Sequence, residues 1–207
     1  MGKEGLSPSA FAYEKMYHAL SQHGDITPTM WDSICAISSF RRFPKGELLQ
    51  EEGRGCRHIY FIVKGICSCF LQQEDRESVL AFAKEGEFCT SCHSLFSKNS
   101  SFLNIKTLEP TEVICIPATG HETLCREYPE IACLFYKLLE LHVCKLEEMI
   151  CRMRCFDAME RVTHFMQTDN QKELIKRIPQ YYIASYLNMA PETFSKILKS
   201  FLSMRSE

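Results

Sequence analysis

The sequence predicts an α+β protein, in which helices and an antiparallel β-roll of the jelly-roll type precede a long helix and a small all-α unit. Between Phe40 and Ala118, short apolar runs alternate with glycine-bearing or charged turns at a spacing of about 8–12 residues, a pattern typical of short strands. From Tyr128 to Phe156 there is no glycine, and Pro129 stands at the start. Residues 157–207 then contain short segments with helical apolar spacing.

Two helices are expected before the roll. Residues 9–24 carry Phe11, Met16 and Leu20 on one side. A second helix should begin at Thr27-Pro28, because threonine is a good N-cap and proline is tolerated at the first helical position. Its apolar stripe is Trp31, Ile34, Cys35 and Ile37.

Composition and charge exclude several classes of protein. The 207 residues are 45% hydrophobic and 24% charged, an ordinary globular balance. The net charge is −2, and residues 157–207 hold seven Lys or Arg against six Asp or Glu, so any nucleic-acid binding must come from a local patch. Residues 1–11 lack the apolar core of a secretory signal, and the apolar run 59–71 is broken by Lys64-Gly65, so a cytoplasmic location is expected.

The long helix carries a regular apolar seam. Its members follow each other at alternating spacings of four and three residues, the signature of a helix that packs against another helix. This pattern predicts a parallel two-helix dimer contact, and the alternative is packing against the rest of its own domain. The predicted dimerisation residues are Phe135, Leu139, His142, Leu146, Met149 and Met153.

Residues 183–198 have the pattern of a helix-turn-helix. Ala184 is small where two helices would cross, and Asn188 stands at a turn position that needs a left-handed backbone. Pro191 would open the second helix. The shared core is predicted to comprise Ile183, Leu187, Met189, Phe194 and Ile197.

The outer side of that second helix carries groups that suit DNA. A glutamate can accept from a cytosine amino group, a lysine can donate to guanine or phosphate, and hydroxyl groups near a helix N-terminus can hold a phosphate. An ordinary solvated helix face is the alternative interpretation. The predicted DNA-binding residues are Pro191, Glu192, Thr193, Ser195, Lys196 and Lys199.

Together these segments resemble the Crp/Fnr family of bacterial regulators, particularly its compact branch in Bacteroidetes. The resemblance rests on residues 44–47 with Gly53, on 57–65, on 85–88, and on the helix-turn-helix at 183–187 and 191–196. It implies a cyclic-nucleotide-binding-like effector domain over 1–126, a dimerisation helix over 127–156 and a DNA-binding domain over 157–207. The implied partners are a second copy of the chain, double-stranded DNA with a palindromic operator, and RNA polymerase.

The sequence departs from the nucleotide-binding members of that family. They place a glutamate just after the Gly-Glu-Phe turn and an Arg-Ser pair some ten residues later, whereas this chain has neither charged group in 88–93 or 99–102. Without a bidentate cation a buried cyclic phosphate lacks its counter-charge, so the effector is expected not to be cAMP and is otherwise unidentified. The predicted effector pocket comprises Phe88, Thr90, Ser91, Cys92, His93, Ser100 and Ser101.

Twelve cysteines are expected to be reduced and mostly packed as small apolar groups. Cys89 and Cys92 form a lone C-x₂-C, which is half a zinc site, so no metal ligands are assigned and no cofactor is identified. The remaining alternatives are a redox-, haem- or metal-responsive regulator, and a ligand-sensing module that acts on a protein partner without DNA. No catalytic motif is found, and the protein is not expected to be an enzyme.

Overall fold

The computed structural model describes residues 7–203, and the side chains of 169–172 lie outside that description. The helices are α1 Pro8–Ser21, α2 Pro28–Ile37, α3 Cys92–Ser97, α4 Ala118–Glu127, α5 Pro129–Cys155, α6 Ala158–Gln167, α7 Asp169–Arg177, α8 Gln180–Tyr186 and α9 Pro191–Ser203. The strands are β1 Ser39–Phe43, β2 Leu48–Gln50, β3 His58–Lys64, β4 Cys67–Gln73, β5 Arg76–Ala83, β6 Phe88–Cys89, β7 Asn104–Thr107 and β8 Thr111–Pro117.

The strands form two four-stranded sheets, which confirms the predicted β-roll. One sheet has the order β1-β8-β3-β6 and the other has the order β2-β7-β4-β5. The recorded pairings are antiparallel, and Phe61 of β3 lies opposite Ile114 of β8. Strand β3 is buried over Ile59–Val63 because it lies inside its sheet and is covered on both faces.

Two apolar clusters cover the two faces of β3 and β8. Phe61 and Ile114 pack with Met16 of α1 and Ile34 of α2, and Ile131 at the start of α5 joins the same cluster. The other cluster is built from alternate residues of the same strands together with residues of the second sheet. Its buried members are Tyr60, Ile62, Cys67, Ala83, Cys89, Ile105, Val113 and Cys115.

The chain divides into two compact units. The first comprises residues 1–71 and 82–140, and the second comprises residues 72–81 together with those from 141 on. The second unit therefore includes the tip of the β4–β5 hairpin as well as α6–α9. The boundaries predicted from the sequence, at 126 and 156, remain predictions.

The helices of the second unit have clear sequence causes. Asp157 caps α6 in a capping box: its carboxylate accepts from Glu160 N at 2.9 Å, and Glu160 Oε2 accepts from Asp157 N at 2.8 Å. The apolar faces of α6–α9 share a buried core, so these short helices stabilise one another. Its members are Val162, Phe165, Leu174, Ile178, Tyr182, Ile183, Ala184, Leu187, Phe194, Leu198 and Phe201.

Candidate nucleic-acid interface and sensor segment

A tight turn joins α8 to α9. Met189 N donates to Ala184 O at 3.0 Å, and Asn188 N donates to Ser185 O at 2.9 Å. These two hydrogen bonds form a Schellman motif, which requires a left-handed residue after the helix end. Asn188 has φ of 52°, so it occupies the position that its sequence pattern predicted.

The turn fixes α9 against α8 through the predicted small and apolar residues. Ala184, Ile183 and Phe194 are each fully buried. Helix α9 begins at Pro191, as predicted, and Ala190 immediately precedes it, with its carbonyl accepting from Phe194 N at 3.0 Å. The orientation of α9 is therefore set by its buried face.

The opposite face of α9 carries the residues predicted to bind DNA. Ser195 is half-buried, and the other predicted residues are exposed: Pro191, Glu192, Thr193, Lys196 and Lys199. Glu192, Lys196 and Lys199 follow each other at spacings of four and three, so they lie on one side of the helix. The structure thus presents one carboxylate and two ammonium groups together on the outer face of α9.

Ser185 of α8 makes a contact that the helix-turn-helix pattern does not predict. Its Oγ donates to Glu77 O at 2.8 Å and accepts from Val79 N at 3.0 Å. All three residues belong to the second unit, and β5 is an edge strand of its sheet. One hydroxyl therefore satisfies both a carbonyl and an amide of β5. No local pattern predicts this contact, because the partners lie more than 100 residues apart in the chain.

Helix α5 leaves an apolar stripe uncovered in the single chain. Residues 141–148 are all exposed, and Val143 and Ile150 keep 46% and 54% of their surface accessible. Phe135, in contrast, packs its ring against His121 of α4 at a centroid distance of 4.1 Å, and burial lowers the pKa of that histidine. Of the other predicted dimerisation residues, His142 and Leu146 are exposed, and Leu139, Met149 and Met153 are half-buried.

Several residues of the predicted effector pocket hydrogen-bond within the chain. The hydroxyl oxygens of Ser91 and Ser101 lie 2.8 Å apart in the interior, and Leu103 N donates to Ser101 Oγ at 3.1 Å. Thr90 Oγ1 donates to His58 O at 3.1 Å and lies 3.1 Å from Cys56 Sγ. These side chains hold the segment between β6 and β7 in place.

The remaining predicted pocket residues have varied environments. Phe88 packs against Phe61 at a ring separation of 5.0 Å, and Cys92 is half-buried at the start of α3. His93 and Ser100 are exposed, with the His93 ring 4.9 Å from that of Phe102. The structure thus brings Ser91 and Ser101 together and places His93 and Ser100 at the surface.

Half of the six thiols of the roll are buried, namely Cys67, Cys89 and Cys115, and the others are half-buried. Burial raises the pKa of Cys67 to about 12 and also raises the pKa of Cys92. Cys89 lies 3.6 Å from Cys69, sulfur to sulfur, and its hydrogen bond to Cys69 together with burial raises the pKa of Cys89. Within residues 7–203, apart from the side chains of 169–172, no three His, Cys, Asp or Glu groups converge as metal ligands.

The described helices include none with the length and apolar character needed to cross a bilayer.

Comparison with known proteins agrees with this geometry. Residues 40–128 match the family model of the cyclic nucleotide-binding domain. A search of curated proteins found no match. Among solved structures, FixK2 from Bradyrhizobium japonicum superposes with a TM-score of 0.72 at 19% identity, over 81% of this chain and 86% of that one.

A structure from Eubacterium rectale named as a transcriptional regulator of the Crp/Fnr family gives a TM-score of 0.69 at 17% identity, over 87% of this chain and 85% of that one. The protein has the Crp/Fnr fold. The c-di-GMP-responsive global regulator CLP of Xanthomonas campestris gives 0.67 at 18% identity, over 86% of this chain and 92% of that one. At these identities the likeness establishes the fold, and the function has to be argued from the residues of this chain.

Proposed function

We propose that the protein is a sequence-specific DNA-binding transcription regulator that acts as a homodimer and contacts RNA polymerase in the bacterial cytoplasm. It is a regulator rather than an enzyme. The observation that carries the proposal is helix α9, whose buried face is fixed by the Schellman turn and whose outer face presents Glu192, Lys196 and Lys199. A helix held in this way can enter the major groove as a unit.

The roles of the α9 side chains can be separated. Glu192 and Lys196 lie in the first half of the helix, where a recognition helix meets base edges, and we assign them to base recognition. Lys199 lies further along, where phosphate contact is the expected role. Pro191, Thr193 and Ser195 complete the surface around the helix start.

The dimer contact is assigned to the exposed stripe of α5. Leu139, Leu146 and Met153 belong to the predicted seam. A second seam keeps these three residues and adds Val143 and Ile150 in place of the other predicted members. It is apolar at every position from Leu139 to Met153. The ring of Phe135, the first residue of the predicted seam, already packs against His121 of the same chain, so we favour the second seam. Val143→Lys should then dissociate the dimer more strongly than His142→Lys.

The effector proposed for the roll is a molecule other than cAMP. The Ser101 hydroxyl donates to that of Ser91, and the residues at 88–93 and 99–102 supply no arginine to pair with a cyclic phosphate. CLP of Xanthomonas campestris is a c-di-GMP-responsive regulator, so a roll of this fold is compatible with ligands other than cAMP. Calorimetric titration with cAMP is expected to give no binding heat at 1 mM. A site that bound cAMP with a micromolar Kd would be saturated there, because the concentration is about 10³ times that Kd.

The test of the main proposal is selection of sheared genomic DNA by the purified protein, followed by sequencing of the retained fragments. A two-fold symmetric motif with half-sites about one helical turn apart is expected. Lys196→Ala and Glu192→Ala should each change the preference at one base pair by about 1–3 kcal/mol. Lys199→Ala should weaken all sequences alike. If neither the parent nor any variant enriches particular DNA sequences, the result would instead favour a protein partner for α8 and α9.

A further inference from the structure

Two thiols face each other across the interior of the roll. Cys69 lies in β4 of one sheet and Cys89 lies in β6 of the other, and their sulfur atoms are 3.6 Å apart. Cys69 is half-buried, whereas Cys89 is only 5% exposed. The sulfurs need to approach by about 1.5 Å to reach the S–S bond length of roughly 2.0 Å.

The surroundings of this pair are apolar and well packed. Cys89 belongs to the buried cluster between the two sheets, and Cys69 packs against that cluster from its edge. Cys67 precedes Cys69 by two residues, so it lies on the same face of β4 and is fully buried. In the sequence Cys89 is paired with Cys92 by the C-x₂-C spacing, but the fold gives Cys89 a partner from the opposite sheet.

We propose that Cys69 and Cys89 form an oxidisable pair, which a peroxide converts into a disulfide bond joining the two sheets. In the first step the sulfur of Cys69 attacks one peroxide oxygen, the O–O bond breaks, and the products are a sulfenic acid and water. In the second step the sulfur of Cys89 attacks that of Cys69, and the S–O bond breaks. The hydroxyl leaves as water with the proton of Cys89, so two thiols are oxidised while one hydrogen peroxide becomes two waters.

The order of the two steps follows from burial. Cys69 is the accessible member of the pair, so it meets the oxidant first. Cys89 stays protonated at neutral pH because its hydrogen bond to Cys69 and its burial both raise its pKa. It is therefore protected from direct oxidation. It resolves the sulfenic acid because the sulfur of Cys69 lies only 3.6 Å away, and its proton leaves with the hydroxyl as the S–S bond forms.

The disulfide would close a loop that contains residues 72–81. This is the hairpin segment whose Glu77 and Val79 bond to Ser185 of α8. A crosslink at its base would restrict the hairpin without touching the DNA-facing residues of α9. Formation of the bond is independent of the proposed DNA binding, so the two proposals can fail separately.

The test treats the reduced full-length protein with hydrogen peroxide, blocks the remaining thiols with N-ethylmaleimide and digests the unfolded chain with trypsin. Cleavage after Lys64, Arg76, Lys84 and Lys98 places Cys69 on peptide 65–76 and Cys89 on peptide 85–98. Mass spectrometry without reduction should find these two peptides linked. The link should fall at least about ten-fold in Cys69→Ser, because the first nucleophile is missing.

Cys92→Ser is the matched control, because Cys92 shares a peptide with Cys89 and is half-buried like Cys69. It should keep the link at the parental yield. The exposed Cys144 on α5 reports that the oxidant was active. A link that survives Cys69→Ser, a link that disappears in Cys92→Ser, or oxidation of Cys144 without any link would each overturn the proposal. Circular dichroism of both variants checks that they are folded.

Discussion

Ser185 shows how one hydroxyl can hold two distant segments of a chain together. Its oxygen donates to one backbone group of β5 and accepts from another, at 2.8 and 3.0 Å. A side chain in a helix generally competes with the backbone of that helix, but here it serves the backbone of a strand. Its contribution is therefore to the stability of the second unit.

Ser185→Ala should lower the free energy of unfolding by about 1–3 kcal/mol, because it leaves the amide of Val79 without its acceptor. Urea unfolding followed by circular dichroism measures the change. Ser200→Ala, on the exposed face of α9, is the control and should stay within about 0.5 kcal/mol of the parent. Equal effects of the two substitutions would show that the hydrogen bonds of Ser185 add nothing measurable.

Gly65 is required by the turn between β3 and β4. Its φ is +105°, and a Cβ placed on it would lie 2.9 Å from the Cα of Thr111. Gly65→Ala should cost about 2–4 kcal/mol, from backbone strain and overpacking together. Thermal unfolding measures the loss. Gly55→Ala is the control, because a Cβ there meets no atom within 4 Å, and a large loss in that variant would contradict the explanation.

At the scale of elements, the start of α9 lacks the side-chain cap that helix N-termini usually have. The helix begins at Pro191, and the preceding residue is Ala190, which has no side-chain oxygen to accept from the first amides. The orientation of α9 consequently depends on the apolar contacts of Phe194 and on the Schellman turn.

Ala190→Thr should raise the free energy of unfolding by about 1 kcal/mol, since threonine is a good N-cap and alanine is a poor one. Ala190→Val has nearly the same shape without the hydroxyl, so it separates capping from the bulk of a β-branched side chain. Urea unfolding of the three proteins gives the comparison. A stabilisation by valine as large as that by threonine would contradict a capping role.

Elements with a strong local signal could be predicted from the sequence. Thr27 caps α2 as expected, and α9 begins at its predicted start, Pro191. The short strands β1, β6 and β7 and the helices α3 and α4 were not predicted. Strand β6 has two residues and β1 is largely exposed, so their pairing with β3 and β8 is decided by the sheet and not by their own sequences.

In the candidate site, too, the features with a local sequence signal could be predicted and those that depend on strand pairing could not. The turn at Asn188 and the exposed face of α9 follow from local rules of backbone and helix geometry, so they could be located before the fold was known. The approach of Cys69 to Cys89 and that of Ser185 to β5 depend on which strands become neighbours. No local pattern carries that information.

At the scale of the whole molecule, α5 is the feature that a single chain leaves incomplete. Tyr136, Val143, Leu146 and Ile150 each expose between 40% and 61% of their surface along one helix. A soluble chain seldom leaves so many large apolar side chains in one row unless a partner covers them. The stripe therefore supports the proposed dimer independently of any likeness to other proteins.

Leu146→Lys should dissociate the dimer, because a lysine in the middle of the seam would have to be buried against its own copy. Analytical ultracentrifugation should show a monomer at concentrations where the parent is dimeric. Glu148→Lys introduces the same side chain two residues away, off the seam, and should leave the dimer intact. A dimeric Leu146→Lys protein would refute the assignment of this helix face.

The contact of Ser185 with β5 also bears on how the protein avoids aggregation. An edge strand offers unpaired amides and carbonyls that can recruit a strand of another molecule. At Glu77 and Val79 the serine hydroxyl occupies two of these groups, so part of the edge is closed to intermolecular pairing. Loss of this hydroxyl should consequently lower the yield of soluble protein on expression and speed aggregation on storage, because an uncovered strand edge can initiate cross-β association.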